Sequence, residues 1–138
     1  MTDDDRKLLT EKLLGEEWHE WFDDGGKHFS EWRSYTCGIC GKNVESPVEP
    51  ANRTFLTWQD VGDVKDKLVE KGMWREFENH AYSLGGYEGP AAMSDIIDGK
   101  YVVYYPSEFT VWLFRPVNEK GEAHFCQLAV DFLMEVDK

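Results

Sequence analysis

No run of apolar residues in this 138-residue chain approaches the roughly 18 that a membrane-spanning helix needs. Basic residues are also scarce, with 15 Lys and Arg against 27 Asp and Glu and a net charge of −12. Such a chain repels DNA and RNA, whose binding depends on Lys and Arg neutralising phosphates. Three cysteines are too few for a disulfide scaffold and suit a reducing compartment. The start, Met1-Thr2-Asp3-Asp4-Asp5, lacks the basic residues that open a signal peptide, so a cytosolic protein is expected. No internal repeat, low-complexity tract or dividing linker is visible, and one domain over residues 1–138 is expected.

Several catalytic signatures are missing too. A zinc deaminase needs His-x-Glu and a later Pro-Cys-x-x-Cys, whereas here His19 and Glu20 are adjacent and Thr36 precedes Cys37. A zincin needs His-Glu-x-x-His, but Asp23 holds the place of the second histidine. Gly85-Gly86-Tyr87-Glu88-Gly89-Pro90 lacks the spacing and the following helix of a phosphate-binding loop. The chain is therefore not expected to be an enzyme.

What the chain does have is Cys37-Gly38-Ile39-Cys40-Gly41-Lys42, with Trp18-His19-Glu20-Trp21 and His28 upstream. Two cysteines flanking a tight glycine-containing turn can point both thiolates at one ion, which is half of a zinc site. With no second Cys-x-x-Cys, the other half falls to histidine or to something more distant. The residues favour a tetrahedral, structural Zn2+ held by Cys37, Cys40, His19 and His28. His80, His124, Glu17 and Asp23 are alternative ligands. A redox pair is disfavoured because a polar, proline-containing segment follows where a helix should open. Cys126 lies in an apolar helical pattern and reads as a small buried hydrophobe.

The acidity is uneven. Residues 1–25 carry nine acids and three bases, residues 26–85 nine and eight, and residues 86–138 nine and four. Acidic ends can be drawn to a basic protein surface. By charge alone, Asp3, Asp4, Asp5, Asp23, Asp24, Asp60, Asp63 and Asp66 are candidate contacts for a protein partner. A solvated helix face is the plainer reading of the row Asp60, Asp63 and Asp66.

Periodicity predicts a helix over Asp3–Leu14 stopped by Gly15, then a strand over Trp18–Phe22 turning at Asp23–Gly26. Thr57 and Asp60 mark a strong helix start, with Trp58, Val61, Val64 and Leu68 as its apolar face. A second helical segment over Met73–Tyr82 presents Trp74, Phe77 and Ala81. A short helix is expected at Ala91–Ile97, and an antiparallel hairpin pairs Tyr101–Tyr105 with Phe109–Phe114. Glu122–Val136 forms the last helix, with Phe125, Leu128, Ala129, Phe132 and Leu133 as its stripe. The fold class is α+β, a small antiparallel sheet packed with helices. Residues 1–45 form a helix and zinc-knuckle region, and residues 53–138 a helix, hairpin and helix core.

Leu13-Leu14-Gly15, Trp18-His19-Glu20-Trp21, Cys37-x-x-Cys40-Gly41-Lys42, Phe55-Leu56-Thr57-Trp58-Gln59-Asp60 and Phe125-Cys126-Gln127-Leu128-Ala129, taken in this order, resemble a family of small phage and prophage proteins. Some of these are described as sandwich-domain proteins of unknown function. The resemblance spans most of the chain apart from the Gly85–Pro90 region. In that family a cysteine often precedes the Trp-His-Glu-Trp; here that position is Glu17, which leaves His28 to supply the fourth ligand.

The resemblance implies a phage protein in the bacterial host cytoplasm. Small acidic phage proteins frequently act against host defence. Some resemble DNA in charge and block RNA-guided CRISPR nucleases, and certain ones hold a structural zinc. A type II CRISPR nuclease keeps its heteroduplex and displaced strand in positively charged channels. The expectation is an acidic, zinc-stabilised anti-CRISPR inhibitor that blocks DNA loading. The alternative is a phage accessory protein-binding module with a structural zinc.

Overall fold

The computed structural model describes residues 1–27 and 32–137, with side chains left undescribed at 25–27. The architecture is α+β, with two small antiparallel sheets and five α-helices among the described residues. None of these helices is long and apolar enough to cross a membrane.

Helix α1 (Asp3–Leu8) opens on a reciprocal cap, in which Thr2 Oγ1 accepts from Asp5 N–H and the Asp5 carboxylate accepts from Thr2 N–H. The predicted helix then changes pitch. Leu9–Leu13 form one π-helical turn, where Leu14 N–H donates to Leu9 carbonyl at 2.9 Å. The Thr10 hydroxyl donates to the carbonyl of Arg6 at 2.7 Å, the kind of side-chain bond that loosens a helical ladder. The wider turn buries Leu9, Thr10 and Leu13 together.

Helix α2 (Trp58–Glu70) starts at the Thr57–Asp60 cap and buries Val61, Val64 and Leu68. Trp58, expected on the same face, is 67% exposed because it sits at the first helical position, ahead of the core. Helices α3 (Trp74–Leu84) and α5 (Phe125–Val136) pack against α2 and each other. Phe77 meets Phe125 and Phe132 edge-on, at centroid separations of 5.3 and 5.7 Å. Such pairs add about 0.5–1.5 kcal/mol each beyond area burial. Leu9, Leu13 and Leu14 join this same core, so the N-terminal helix belongs with the helical body rather than with the cysteine turn.

Two expectations are overturned between residues 91 and 114. Met93–Ile97 is strand β4, not a helix, and it pairs with β5 (Lys100–Tyr104). Asp98 and Gly99 connect them with φ of +53° and +76°. Two consecutive positive φ values give the primed turn that suits strand twist, and Asp-Gly is its sequence signature. Phe109–Phe114 is not the returning strand. Ser107–Leu113 is helix α4, entered from Pro106. Its β-favouring residues are overruled by packing, since Phe109 and Leu113, one turn apart, are both fully buried. Helix α5 begins at Phe125 instead of Glu122, because Glu122 and Ala123 close the preceding loop through Asn118 and Val117.

The second sheet has the order β1 (Trp21–Lys27), β2 (Arg33–Cys37), β3 (Asn43–Ser46). The first strand begins later than expected and continues through Asp23 and Asp24, where the sequence predicts a turn. Asp24 remains in the strand because its carboxylate accepts from Ser34 at 2.7 Å, Thr36 at 2.9 Å and Asn43 at 3.1 Å, joining all three strands. Only Tyr35 and Cys37 supply buried apolar side chains within the described part of this sheet. Its hydrophobic support is thin.

Candidate metal centre

Cys37 ends β2 and Asn43 starts β3, so the cysteine turn is the tip of a hairpin. Its backbone is closed by Gly41 N–H to Cys37 carbonyl and Cys37 N–H to Lys42 carbonyl, both at 2.9 Å. Gly41 has φ +76°, a conformation that glycine adopts without a Cβ penalty. This bend turns backbone N–H groups toward sulfur, and Ile39 N–H donates to Cys37 Sγ at 3.4 Å.

Pairing of β1 with β2 brings the third ligand. Trp21 stands opposite Cys37, and Gly38 N–H donates to Glu20 carbonyl at 2.9 Å. Glu20 N–H also donates to Cys37 Sγ at 3.4 Å. His19, two residues before the strand, then lies with Nδ1 3.4 Å from Cys40 Sγ. The ligand atoms of His19, Cys37 and Cys40 all fall within 4.8 Å of one another, a cluster that can hold a metal ion. Bond lengths of 2.0–2.3 Å to nitrogen and sulfur imply ligand atoms roughly 3.5 Å apart round a tetrahedral ion. The donor set and the His19–Cys40 spacing fit that geometry.

The electrostatics favour the ligating form of Cys37. Burial pushes its thiol up, but N–H donors from Cys40, Ile39 and Glu20, together with His19, more than offset this and bring it down to about 6. Hydrogen bonds to a thiolate favour that form. On the other side of the imidazole, Glu17 Oε2 lies 3.6 Å from His19 Nε2. That separation is longer than a hydrogen bond, so Glu17 is a charged neighbour placed to orient the imidazole when Nδ1 ligates a metal.

The backbone of His19 is fixed from elsewhere. Asn52 Oδ1 accepts from His19 N–H at 3.1 Å, and Asn52 Nδ2 donates to His19 carbonyl at 2.6 Å. Asn52 is held in turn, because Arg6 Nη2 donates to its carbonyl at 3.1 Å and Arg6 Nε donates to Arg53 carbonyl at 2.9 Å. Arg53 reaches Asp63 at 2.7 Å, Asp60 at 3.3 Å and Glu16 at 3.0 Å. A continuous polar chain thus runs from α1 and α2 to the ligand. Asn52, Arg6 and Arg53 were missed in the sequence, where a loop asparagine and two scattered arginines carry no spacing signal.

His28 lies outside the described residues. Cys126 is fully buried in α5, and burial, with Asp60 nearby, pushes its thiol up to about 12. His80 packs against Phe132 and His124 against Trp112 in the helical body. Asp23 pairs with Arg33 at 3.2 Å. Among the proposed contact carboxylates, Asp3 pairs with Arg6, and Asp5 and Asp60 cap helices. Asp24 ties the sheet together, and Asp63 is engaged by Arg53. Asp60 is only 5% exposed, so it serves the fold and is corrected as a surface contact. Asp4 and Asp66 are exposed. Comparison of the chain with protein-family models, curated proteins and solved structures finds no match.

Proposed function

We propose that this chain is a non-enzymatic binding module whose N-terminal sheet is stapled by a structural zinc ion and whose acidic surface engages a basic protein. The observation that carries the reading is the convergence of His19, Cys37 and Cys40 at one end of a sheet whose described residues bury few apolar side chains. Small sheets of this kind gain from a metal staple, because metal binding energy is then folding energy. Two thiolates and an imidazole suit zinc. The net charge of −12 supports a basic partner.

In its specific form, supported by the charge and by the resemblance to phage proteins, the module is phage-encoded and acts in the host cytoplasm. It inhibits a type II CRISPR nuclease by occupying a basic channel and preventing DNA loading. Order-of-addition cleavage assays across a salt series test this. Inhibition when the protein precedes DNA, fading with salt, is the expected result. Absence of inhibition at every ratio would remove the nuclease as target and favour the other reading, a phage accessory module with a different protein partner.

A further inference from the structure

A cleft of about 580 Å³ opens beside the ligand cluster, between the start of α1, the segment entering β1, and residues 49–52. Trp18, His19, Trp21 and Phe22 are among its lining residues. Asp3, Asp4, Glu20 and Glu49 line it as well. Two cations also reach the cleft, but both are engaged. Arg6 pairs with Asp3, donates to the carbonyls of Asn52 and Arg53, and lies 5.4 Å over the Trp18 ring. Lys7 lies 3.9 Å from Glu11. Asp4, Glu20 and Glu49 are exposed and form no ion pair with the described residues. The result is a concave site with aromatic residues in its lining and three exposed carboxylates that no described cation pairs. Aromatic faces and carboxylates together recognise an ammonium or guanidinium group, the rings through cation–π attraction and the carboxylates through charge-assisted hydrogen bonds.

We propose that this cleft is the docking site for an extended Lys- or Arg-containing segment of the protein partner. The inference rests on the binding-module reading above and places the contact beside the metal centre. The Asn52 clamp lines the same cleft, so the metal centre and the docking site share one support.

The test is calorimetric titration of the full, metal-loaded chain with a short peptide of alternating Lys and Gly, and with a Glu-Gly peptide as the charge-reversed control. Two double variants are compared, Asp4→Lys with Glu49→Lys in the cleft and Asp66→Lys with Glu88→Lys outside it. Each substitution adds two charges, so both pairs carry the net charge from −12 to −8. All four positions are exposed, and metal content and circular dichroism check that the variants fold. Expected are binding of the Lys-Gly peptide only, weakening of about tenfold in the cleft pair, and a change below about threefold in the outside pair. Equal weakening in both pairs, or no peptide binding to the parent chain, would overturn the cleft. That failure stays separate from the wider reading, which the cleavage assay tests with an intact protein partner.

Discussion

Asn52 grips the main chain of His19 from both sides, accepting from its N–H at 3.1 Å and donating to its carbonyl at 2.6 Å. The two residues are 33 positions apart, and this pair of bonds joins the ligand-bearing segment to the arginine-linked helical body. Replacing Asn52 with Ala removes both bonds and leaves the helical core untouched. The expected outcome is metal affinity about tenfold weaker, in the range seen when groups that orient a ligand are lost. The melting transition of the metal-free protein should shift little. Competition with a chromophoric chelator measures the first and calorimetry the second.

Glu17 places a carboxylate 3.6 Å from the ring of the same histidine. Loss of the carboxylate in Glu17→Ala should weaken metal binding by about tenfold, and Glu17→Gln, which retains an acceptor, should fall between. A carboxylate that orients the metal-bound imidazole also predicts a shifted visible spectrum in the cobalt-substituted variant. Unchanged affinity and spectrum in Glu17→Ala would mean that Glu17 is only a surface neighbour.

Arg53 balances three carboxylates, one of them on the buried Asp60. Arg53→Ala leaves Asp60 without its cation but still bonded to Thr57, so a loss of about 1–3 kcal/mol is expected. Chemical denaturation should report that loss.

The same arginine governs an acid-sensitive term. Its hydrogen bond and charge, together with Gln59, hold the Asp63 carboxyl below the ordinary value of 3.8. A carboxyl depressed in the folded state contributes stability that is full above 3.8 and is lost as pH falls through the lower folded value. The parent chain should therefore lose this stability on strong acidification, while Arg53→Ala, having already lost it, should show a flatter acid limb. Parallel limbs in unfolding measured against pH would contradict the assignment.

Metal retention has a different pH range. The Cys37 thiol, drawn to about 6, is largely ionised at neutral pH in the metal-free chain. Thiolate ultraviolet absorbance should rise through that region in the parent chain and lose this component in Cys37→Ser. Acidification below it should release metal, since protons compete for the ligand.

Parts of this arrangement are legible in the sequence because they depend on neighbours. The Thr57–Asp60 cap, the Val61, Val64 and Leu68 stripe, and the cysteine turn are all local patterns. His19 is readable as a ligand because it flanks the strand that pairs with the cysteine-bearing one. The misread stretch from 91 to 114 failed for two separate reasons. At Ile97-Asp98-Gly99-Lys100 the Asp-Gly turn signature is local and outweighs the helical pattern around it. At Phe109–Phe114, propensity favoured a strand and only the tertiary burial of Phe109 and Leu113 decides for helix. The Asn52 clamp has no local signature, since its bonds exist only once distant segments meet.

The most direct test of the metal staple is the metal content of the purified chain and of Cys37→Ser and Cys40→Ser, combined with hydrogen exchange. Stoichiometric zinc in the parent is predicted. Its loss in both variants should strip protection from Trp21–Lys27, Arg33–Cys37 and Asn43–Ser46, while Phe125–Val136 remains protected. Full zinc occupancy in both variants, or a metal-free parent whose sheet is equally protected, would contradict the account.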